Sequence, residues 1–233
     1  MDKKILLGLM LLAPSALVLA DGVGIDKVYH PYVTPLEREL EFRLLTYPLS
    51  DGNSNQLYRL GYGQTFSERW FGELYLIGQQ MPDNNLELFA YEGEVLLQLT
   101  EQGEYAADYG LLFEMERRAE DAIWETRAAL LVEHAWGKAV VTANLSLINE
   151  FGDDIENELE TAGAFQMRYR YSLAWEPALE LYLTQVSQGV GPVMMGDVKT
   201  GIAKRLHWEL GVIAGMNDKT ADSTLRGLVE YEF

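Results

Sequence analysis

The clearest structural signal in the chain lies in residues 36–47, which read LERELEFRLLTY. In this stretch, apolar residues stand at even positions (36, 40, 42 and 44) and charged residues stand at odd positions (37, 39, 41 and 43). A helix would scatter these residues around its circumference, whereas a β-strand sorts them onto two faces. The stretch therefore predicts a strand with one apolar face and one charged face.

The same alternation recurs along the chain, in segments separated by turn-rich breaks. Each segment has about ten to fourteen residues, near the length that a tilted strand needs to cross a bilayer. Residues 119–136 are the least decisive, since their Ala, Glu and Arg content also suits a helix. The pattern predicts an all-β fold, a closed antiparallel transmembrane β-barrel of about twelve strands. The predicted strands are 36–47, 56–66, 70–79, 86–99, 107–117, 123–133, 138–150, 159–172, 178–187, 193–203, 206–216 and 224–233.

The first twenty residues have the features of a secretory signal peptide. Lysines at positions 3 and 4 precede a short apolar run, and small residues before Asp21 suit cleavage there. An uncleaved anchor helix is the alternative, but Pro14 interrupts the run. The expected organisation is a cleaved signal peptide at 1–20, a periplasmic N-terminal segment at 21–35 and an outer-membrane barrel at 36–233.

Composition argues against several classes of protein. The 36 acidic residues outnumber the 18 basic ones, and nucleic acid is not expected as a partner because phosphate binding needs basic patches. Cysteine is absent, which excludes disulfides and thiolate metal sites. The histidines are His30, His134 and His207, and none stands beside a recognisable serine motif. The sequence predicts neither an enzyme nor a cofactor site.

Two kinds of break separate the predicted strands. The even strand number puts one kind outside the cell, and it puts the other kind and both ends of the mature chain on the periplasmic side. The predicted outer breaks contain Asp51, Asp83, Asp154 and Asp218. The predicted inner breaks carry Trp70, Trp136, Trp175 and Trp208. A barrel with an aromatic ring at one membrane interface has this arrangement, while the alternative is that each Trp only stabilises its own turn.

The C-terminal residues 225–233 read LRGLVEYEF. Alternate positions are apolar or small, Tyr231 stands two residues from the end, and Phe233 is last. This strand resembles the C-terminal signature of Gram-negative outer-membrane β-barrel proteins, and the chain is loosely similar to small transporter-like barrels. The resemblance implies an outer-membrane location among outer-membrane lipid. It also implies that Tyr231 and Phe233 form a signal for the barrel assembly machinery.

In a membrane barrel the apolar parity faces lipid and the charged parity faces inward. The predicted lumen-facing residues are Glu39, Glu41, Arg43, Arg59, Glu73, Glu92, Glu94, Glu114, Glu116, Arg127, Arg168, Arg170, Asp197, Arg226 and Glu230. Acids outnumber bases in this set, so the leading interpretation is a small channel or transporter with an acidic, cation-preferring lumen, for a solute or ion that the residues do not identify. A closed outer-membrane barrel with a structural or binding role is the second interpretation. A soluble periplasmic barrel that binds an apolar ligand is the third, and it would reverse the two faces.

The residues Tyr29-His30-Pro31-Tyr32 precede the first predicted strand. Their aromatic rings favour an anchor at the membrane interface. A lid packed under the barrel is the alternative.

Overall fold

The computed structural model describes residues 24–49, 53–82, 84–153 and 155–233. The signal peptide predicted at 1–20 and the loop residues Asp51, Asp83 and Asp154 lie outside the described residues. None of the described residues belongs to a helix long and apolar enough to cross a membrane.

The described residues form twelve strands in one closed sheet, and all neighbouring strands are antiparallel. Each strand pairs with the next along the chain, and the last pairs back with the first, with Glu39 opposite Glu232. The prediction of an all-β closed barrel of twelve strands is confirmed. The strands are β1 (Arg38–Pro48), β2 (Ser54–Ser67), β3 (Trp70–Gln80), β4 (Glu87–Gln98), β5 (Asp108–Arg118), β6 (Ile123–Trp136), β7 (Ala139–Gly152), β8 (Glu158–Tyr169), β9 (Glu176–Leu183), β10 (Gln188–Gly201), β11 (Lys204–Gly215) and β12 (Ser223–Glu232).

The strand limits follow the predicted ones closely except at the turn between β9 and β10. There β9 ends at Leu183 rather than at 187, and β10 begins at Gln188 rather than at 193. The Gly and Pro residues at 189–192 look like a turn in the sequence. In the structure they belong to β10. Glycine is needed at position 191, because a Cβ there would lie only 1.9 Å from the main-chain oxygen of Val212. The β6 strand covers most of the region whose composition also suits a helix.

The two faces of the sheet are sorted by polarity in the way a membrane barrel requires. On β1, Leu40 and Phe42 are 47% and 46% exposed, while Glu41 and Arg43 are 1% and 0% exposed. Apolar residues therefore cover the outer surface and charged residues fill the interior. A soluble barrel with an apolar ligand would have the opposite arrangement.

The chain ahead of β1 lies inside the barrel. Thr34 is held near the end where β1 begins, through a hydrogen bond from Thr65. Gly24 lies at the opposite end, against Thr184 and Ser187 in the turn after β9. Residues 24–34, which we call the lumenal segment, thus cross the whole barrel.

This course overturns two expectations. Phe233 lies at the β1 end, where its main-chain N–H donates to the Arg38 carbonyl at 2.8 Å. Gly24 and Phe233 are therefore at opposite ends of the barrel, so residues 24–34 lie inside it and not in the periplasm, where the segment 21–35 was expected. The aromatic residues 29–32 form neither an interface anchor nor a lid beneath the barrel. Their polar groups bind interior side chains instead.

Candidate functional site in the barrel interior

The lumenal segment is held along its length by barrel side chains that bind its main chain. These side chains come from β2, β4, β7, β9 and β12, so the contacts surround the segment. Main-chain N–H and C=O groups are obligatory hydrogen-bonding groups, and an unpaired one inside a barrel is costly. The contacts are Thr65 Oγ1 to the Thr34 carbonyl (2.7 Å), the Val33 N–H to Gln98 Oε1 (2.7 Å), Asn144 with both the N–H and the carbonyl of Tyr29 (2.8 Å each), and Tyr182 and Arg226 to the Asp26 carbonyl.

The two charged side chains of the segment enter the ionic network of the closing strands. Asp26 pairs with Arg43 of β1, which is fully buried and also binds Glu41 at 2.6 Å. Lys27 Nζ lies 2.5 Å from Glu41 and 3.4 Å from Glu230 of β12. Each buried charge of this group therefore has an opposite charge beside it, as burial in a low-dielectric interior requires.

The aromatic part of the segment binds acids on the facing strands. The Tyr29 hydroxyl donates to Glu94 at 2.6 Å. Near the β1 end, His30 Nδ1 lies 2.6 Å from Glu133, and the Tyr32 hydroxyl donates to Asp108 at 2.7 Å. The polar tips of these rings thus pair with acids, while their apolar bodies fill the lumen.

Apolar side chains of the segment pack at the other end. Ile25 and Val28 are each 3% exposed and join a buried cluster with Tyr182, Val193 and Ile213. Removing this apolar area from water stabilises the segment in place, at roughly 25 cal/mol per Å².

The structure brings the predicted lumen-facing residues together as a paired interior rather than an empty one. Seven of them, Glu39, Glu41, Arg43, Glu73, Glu92, Glu94 and Arg226, are less than a tenth exposed. Glu116 of β5 is half-buried between Glu92 and Glu125 on the neighbouring strands. Further ion pairs among the described residues include Arg59–Glu92 (2.6 Å), Arg127–Glu114 (3.0 Å), Arg168–Glu176 (3.2 Å), Arg170–Glu133 (3.5 Å), Arg226–Glu209 (2.7 Å) and His207–Asp197 (2.8 Å).

Several residues that hold the segment were not predicted as site residues. Gln98, Glu133 and Asn144 stand on the polar parity of their strands, and that alternation was the available signal. Their role follows from contacts with a segment more than sixty positions away in the sequence. No local pattern carries that information.

Beside the lumenal segment a cavity remains on the β5 to β8 side. It has a volume of about 60 Å³, enough for a few waters, since each needs roughly 10–15 Å³ of such space. Glu114 of its lining keeps Oε2 at 3.0 Å from Arg127. Its Oε1 is buried and has no hydrogen-bond partner in the described part of the chain. The acidic lining residues are Asp26, Glu114, Glu125, Glu150, Glu158 and Glu160, and the basic ones are Lys27 and Arg127.

The predicted interface aromatics all lie at the end of the barrel where β1 begins. Trp70 starts β3, Trp136 ends β6, Trp175 precedes β9, and Trp208 lies in the first half of β11. The rings of Trp175 and Trp208 meet edge to face, with centroids 5.3 Å apart.

The residues of the predicted assembly signal are at the same end. Tyr231 and Phe233 stack with ring centroids 5.7 Å apart. Beside them, the carboxylates of Glu37, Glu39 and Glu232 lie within 4.8 Å of one another. Arg205 partly balances this group through Glu232, with its Nε 2.8 Å from Oε1.

Comparisons with known proteins support the fold. No family model matches the chain, and no curated protein matches it either. An outer membrane channel from Pseudomonas putida F1 is similar in structure, with a TM-score of 0.59 and 11% identity over 89% of this chain and 98% of that one. The KdgM porin in complex with disordered oligogalacturonate has a TM-score of 0.53 and 11% identity over 84% and 98%. The β domain of the Bordetella autotransporter Brka has a TM-score of 0.52 and 12% identity over 85% and 99%.

These likenesses concern the fold, because the identities are low. The fold is that of outer-membrane β-barrels, as the resemblance in the last strand implied. It supports the outer membrane as the location of this chain, with lipid around its apolar face.

Proposed function

We propose that the chain is an outer-membrane channel for small solutes or ions, and that its own lumenal segment closes it at rest. The observation that carries this proposal is an interior made of polar and charged side chains around a separate segment, in a barrel whose structural neighbours include channels. Besides the apolar cluster at Ile25 and Val28, segment and barrel meet through hydrogen bonds and ion pairs. Such contacts can be exchanged for water when the segment leaves.

The charge of the interior favours cations. Six acids and two bases line the cavity beside the segment, and low-dielectric walls focus the field of such an excess. The KdgM porin was solved with oligogalacturonate, which is a polyanion. An acidic lumen would repel the same ligand, so this chain is proposed to be a channel for a different solute.

Bilayer conductance tests the proposal. The refolded full chain should conduct little, whereas a variant that lacks residues 24–34 should show steady conductance. In a salt gradient its reversal potential should favour cations, and the preference should fade toward 1 M salt, where the Debye length shrinks to roughly 3 Å. Circular dichroism and heat-modifiable gel migration establish that the variant is folded. A folded variant that stays silent contradicts channel function.

A closed barrel with a structural or binding role is the second candidate. It is favoured by the pairing of every predicted lumenal arginine with an acid. Under this candidate the E92Q variant should lose stability, because Arg59 would lose its 2.6 Å partner, and the variant that lacks the segment should not conduct.

A further inference from the structure

We propose that the interior of this barrel is a binding track for an extended cationic peptide, and that the lumenal segment is its resident occupant. This inference rests on the proposed channel function and names its substrate class. It starts from the way in which the barrel grips the segment.

The grip is directed at the main chain. The side chains of Thr65, Gln98, Asn144, Tyr182 and Arg226 bind carbonyl or N–H groups from Thr34 to Asp26. Those groups are present in every peptide, whatever its side chains. Asn144 binds both polar groups of one residue, as a neighbouring β-strand would. A track of this kind binds an extended peptide through its main chain and depends only weakly on the sequence of the peptide.

The geometry of the segment fits that purpose. The lumenal segment crosses the barrel in residues 24–34, and the strands around it have 8 to 14 residues. A chain spans at most about 3.3–3.6 Å per residue, so eleven residues can cross the barrel as an extended chain. Its described residues form no helical turn and no strand. Its main chain is bound by side chains of the barrel and, at Thr34, also by the main-chain N–H of Glu37 at 3.3 Å.

The charge of the track selects basic side chains. Lys27 is an example of a basic side chain bound by the track, since its Nζ lies 2.5 Å from Glu41 and 3.4 Å from Glu230. In the adjoining cavity, the Glu114 side chain is 8% exposed. Its Oε1 is buried and, among the described residues, has no hydrogen-bond partner. A buried acceptor of this kind suits a cationic donor from a bound chain.

The resident segment has a large advantage over any free peptide, because it is covalently attached. A short tether gives an effective concentration of about millimolar. A free peptide therefore binds readily only when the segment is absent or displaced, and the segment acts as an internal competitor for the track.

Binding of labelled peptides to the variant that lacks residues 24–34 tests the inference. Three peptides of equal length are compared by fluorescence anisotropy: the sequence of residues 24–34, a scrambled version, and a version with Glu in place of Lys27 and His30. The native and scrambled peptides should bind within about tenfold of each other, and the acidic peptide at least about tenfold more weakly. The N144A substitution should weaken all three, while N149A, on the opposite face of the same strand, should not.

Two results would overturn the inference. One is a folded variant that binds none of the peptides, and the other is binding of the native sequence alone, which would make the segment a dedicated plug. Anisotropy does not depend on conductance. A variant that binds peptides but never conducts contradicts the proposed channel, whereas one that conducts without binding peptides contradicts only the track.

The full chain provides a second test that does not depend on folding of the shortened variant. Adding the scrambled peptide at millimolar concentration should speed hydrogen exchange of residues 24–34, because the peptide displaces them. A disulfide between cysteines placed at Gly24 and Ser187 should abolish the effect by retaining the segment. Exchange that is unchanged by the peptide in the unlocked chain counts against the track.

Discussion

Asn144 binds both main-chain polar groups of Tyr29, since its Oδ1 accepts the N–H at 2.8 Å and its Nδ2 donates to the carbonyl at 2.8 Å. Each bond contributes roughly 0.5–1.5 kcal/mol. The N144A variant should therefore loosen the middle of the lumenal segment by about 1–3 kcal/mol, and hydrogen exchange in residues 24–34 should quicken by roughly 5- to 150-fold. Ser146, two positions along the same interior face, supplies the control S146A, which should leave exchange unchanged. Equal rates of hydrogen exchange in N144A and S146A would contradict a role for Asn144 in holding the segment.

The course of the segment can be captured covalently, because the chain has no cysteine of its own. A Cβ on Gly24 would lie 3.6 Å from the Cβ of Ser187, within the roughly 3.5–4.5 Å that disulfides use. Oxidation of the G24C/S187C variant should form the bond, as judged by loss of free thiol. The pair G24C/S67C spans opposite ends of the barrel and should stay reduced. The reverse result would place the segment elsewhere.

The buried and exposed ion pairs should differ sharply in their effect on stability. Arg43 is fully buried and pairs with Asp26 and Glu41, so R43M removes the adjacent arginine from both carboxylates, leaving Glu41 only Lys27 among the described cations, and should cost about 3–5 kcal/mol. Arg69 pairs with Glu101 at 3.0 Å, but both side chains are about half exposed or more. The R69M change should cost at most about 1 kcal/mol. Urea unfolding in lipid vesicles, followed by gel migration, measures both variants.

The outer face predicts a contrast between adjacent residues of β7. Leu145 is at the middle of the strand and 49% exposed on the lipid side. An arginine at the bilayer midplane costs roughly 2–4 kcal/mol, so L145R should reduce the yield of folded protein in membranes. Ser146 points into the acid-lined cavity, and S146R should be much milder. Similar losses for the two variants would mean that the faces are assigned wrongly.

Stability should depend on pH through Glu37, just outside β1. Burial, and then the neighbouring Glu232 carboxylate, raise the pKa of Glu37 to about 7. A carboxyl whose pKa is raised on folding is favoured in its protonated form. Its contribution to the free energy of unfolding is present below the ordinary pKa and is lost as pH rises toward and through 7. The E37Q variant should therefore gain stability over the parent between pH 5 and pH 8, whereas the exposed E68Q should not. A difference in the free energy of unfolding between E37Q and the parent that stays constant from pH 5 to pH 8 would contradict a raised pKa of Glu37.

The barrel was predictable because its signal is local. Residues 36–47 alternate between apolar and charged at a period that only a strand sorts into two faces, and the turns fall between such stretches. The shift of β10 by several residues came from Gly191 and Pro192, which signal a turn in the sequence. Only the close approach of the Val212 main chain shows why glycine is needed inside that strand.

The occupied interior was not predictable by the same means. Tyr29 and Asn144 are 115 residues apart in the chain, and no local pattern in the sequence relates one to the other. The lumenal segment has apolar and polar residues on both parities, so it gives no period of its own. Its tyrosines predict an anchor at the membrane interface, because Tyr rings have that preference in general. In the structure their hydroxyls instead donate hydrogen bonds to buried acids inside the barrel.

The closed ring of strands constrains how the molecule is made. A chain inside such a ring entered end-first, or it was already in place when β1 met β12. Asp26 touches both sides of that last junction, with its carboxylate on Arg43 of β1 and its carbonyl bound by Arg226 of β12. On the second route, Asp26 links β1 to β12 from inside the barrel as the sheet closes. A residue that is synthesised before every strand then helps to join the first strand to the last.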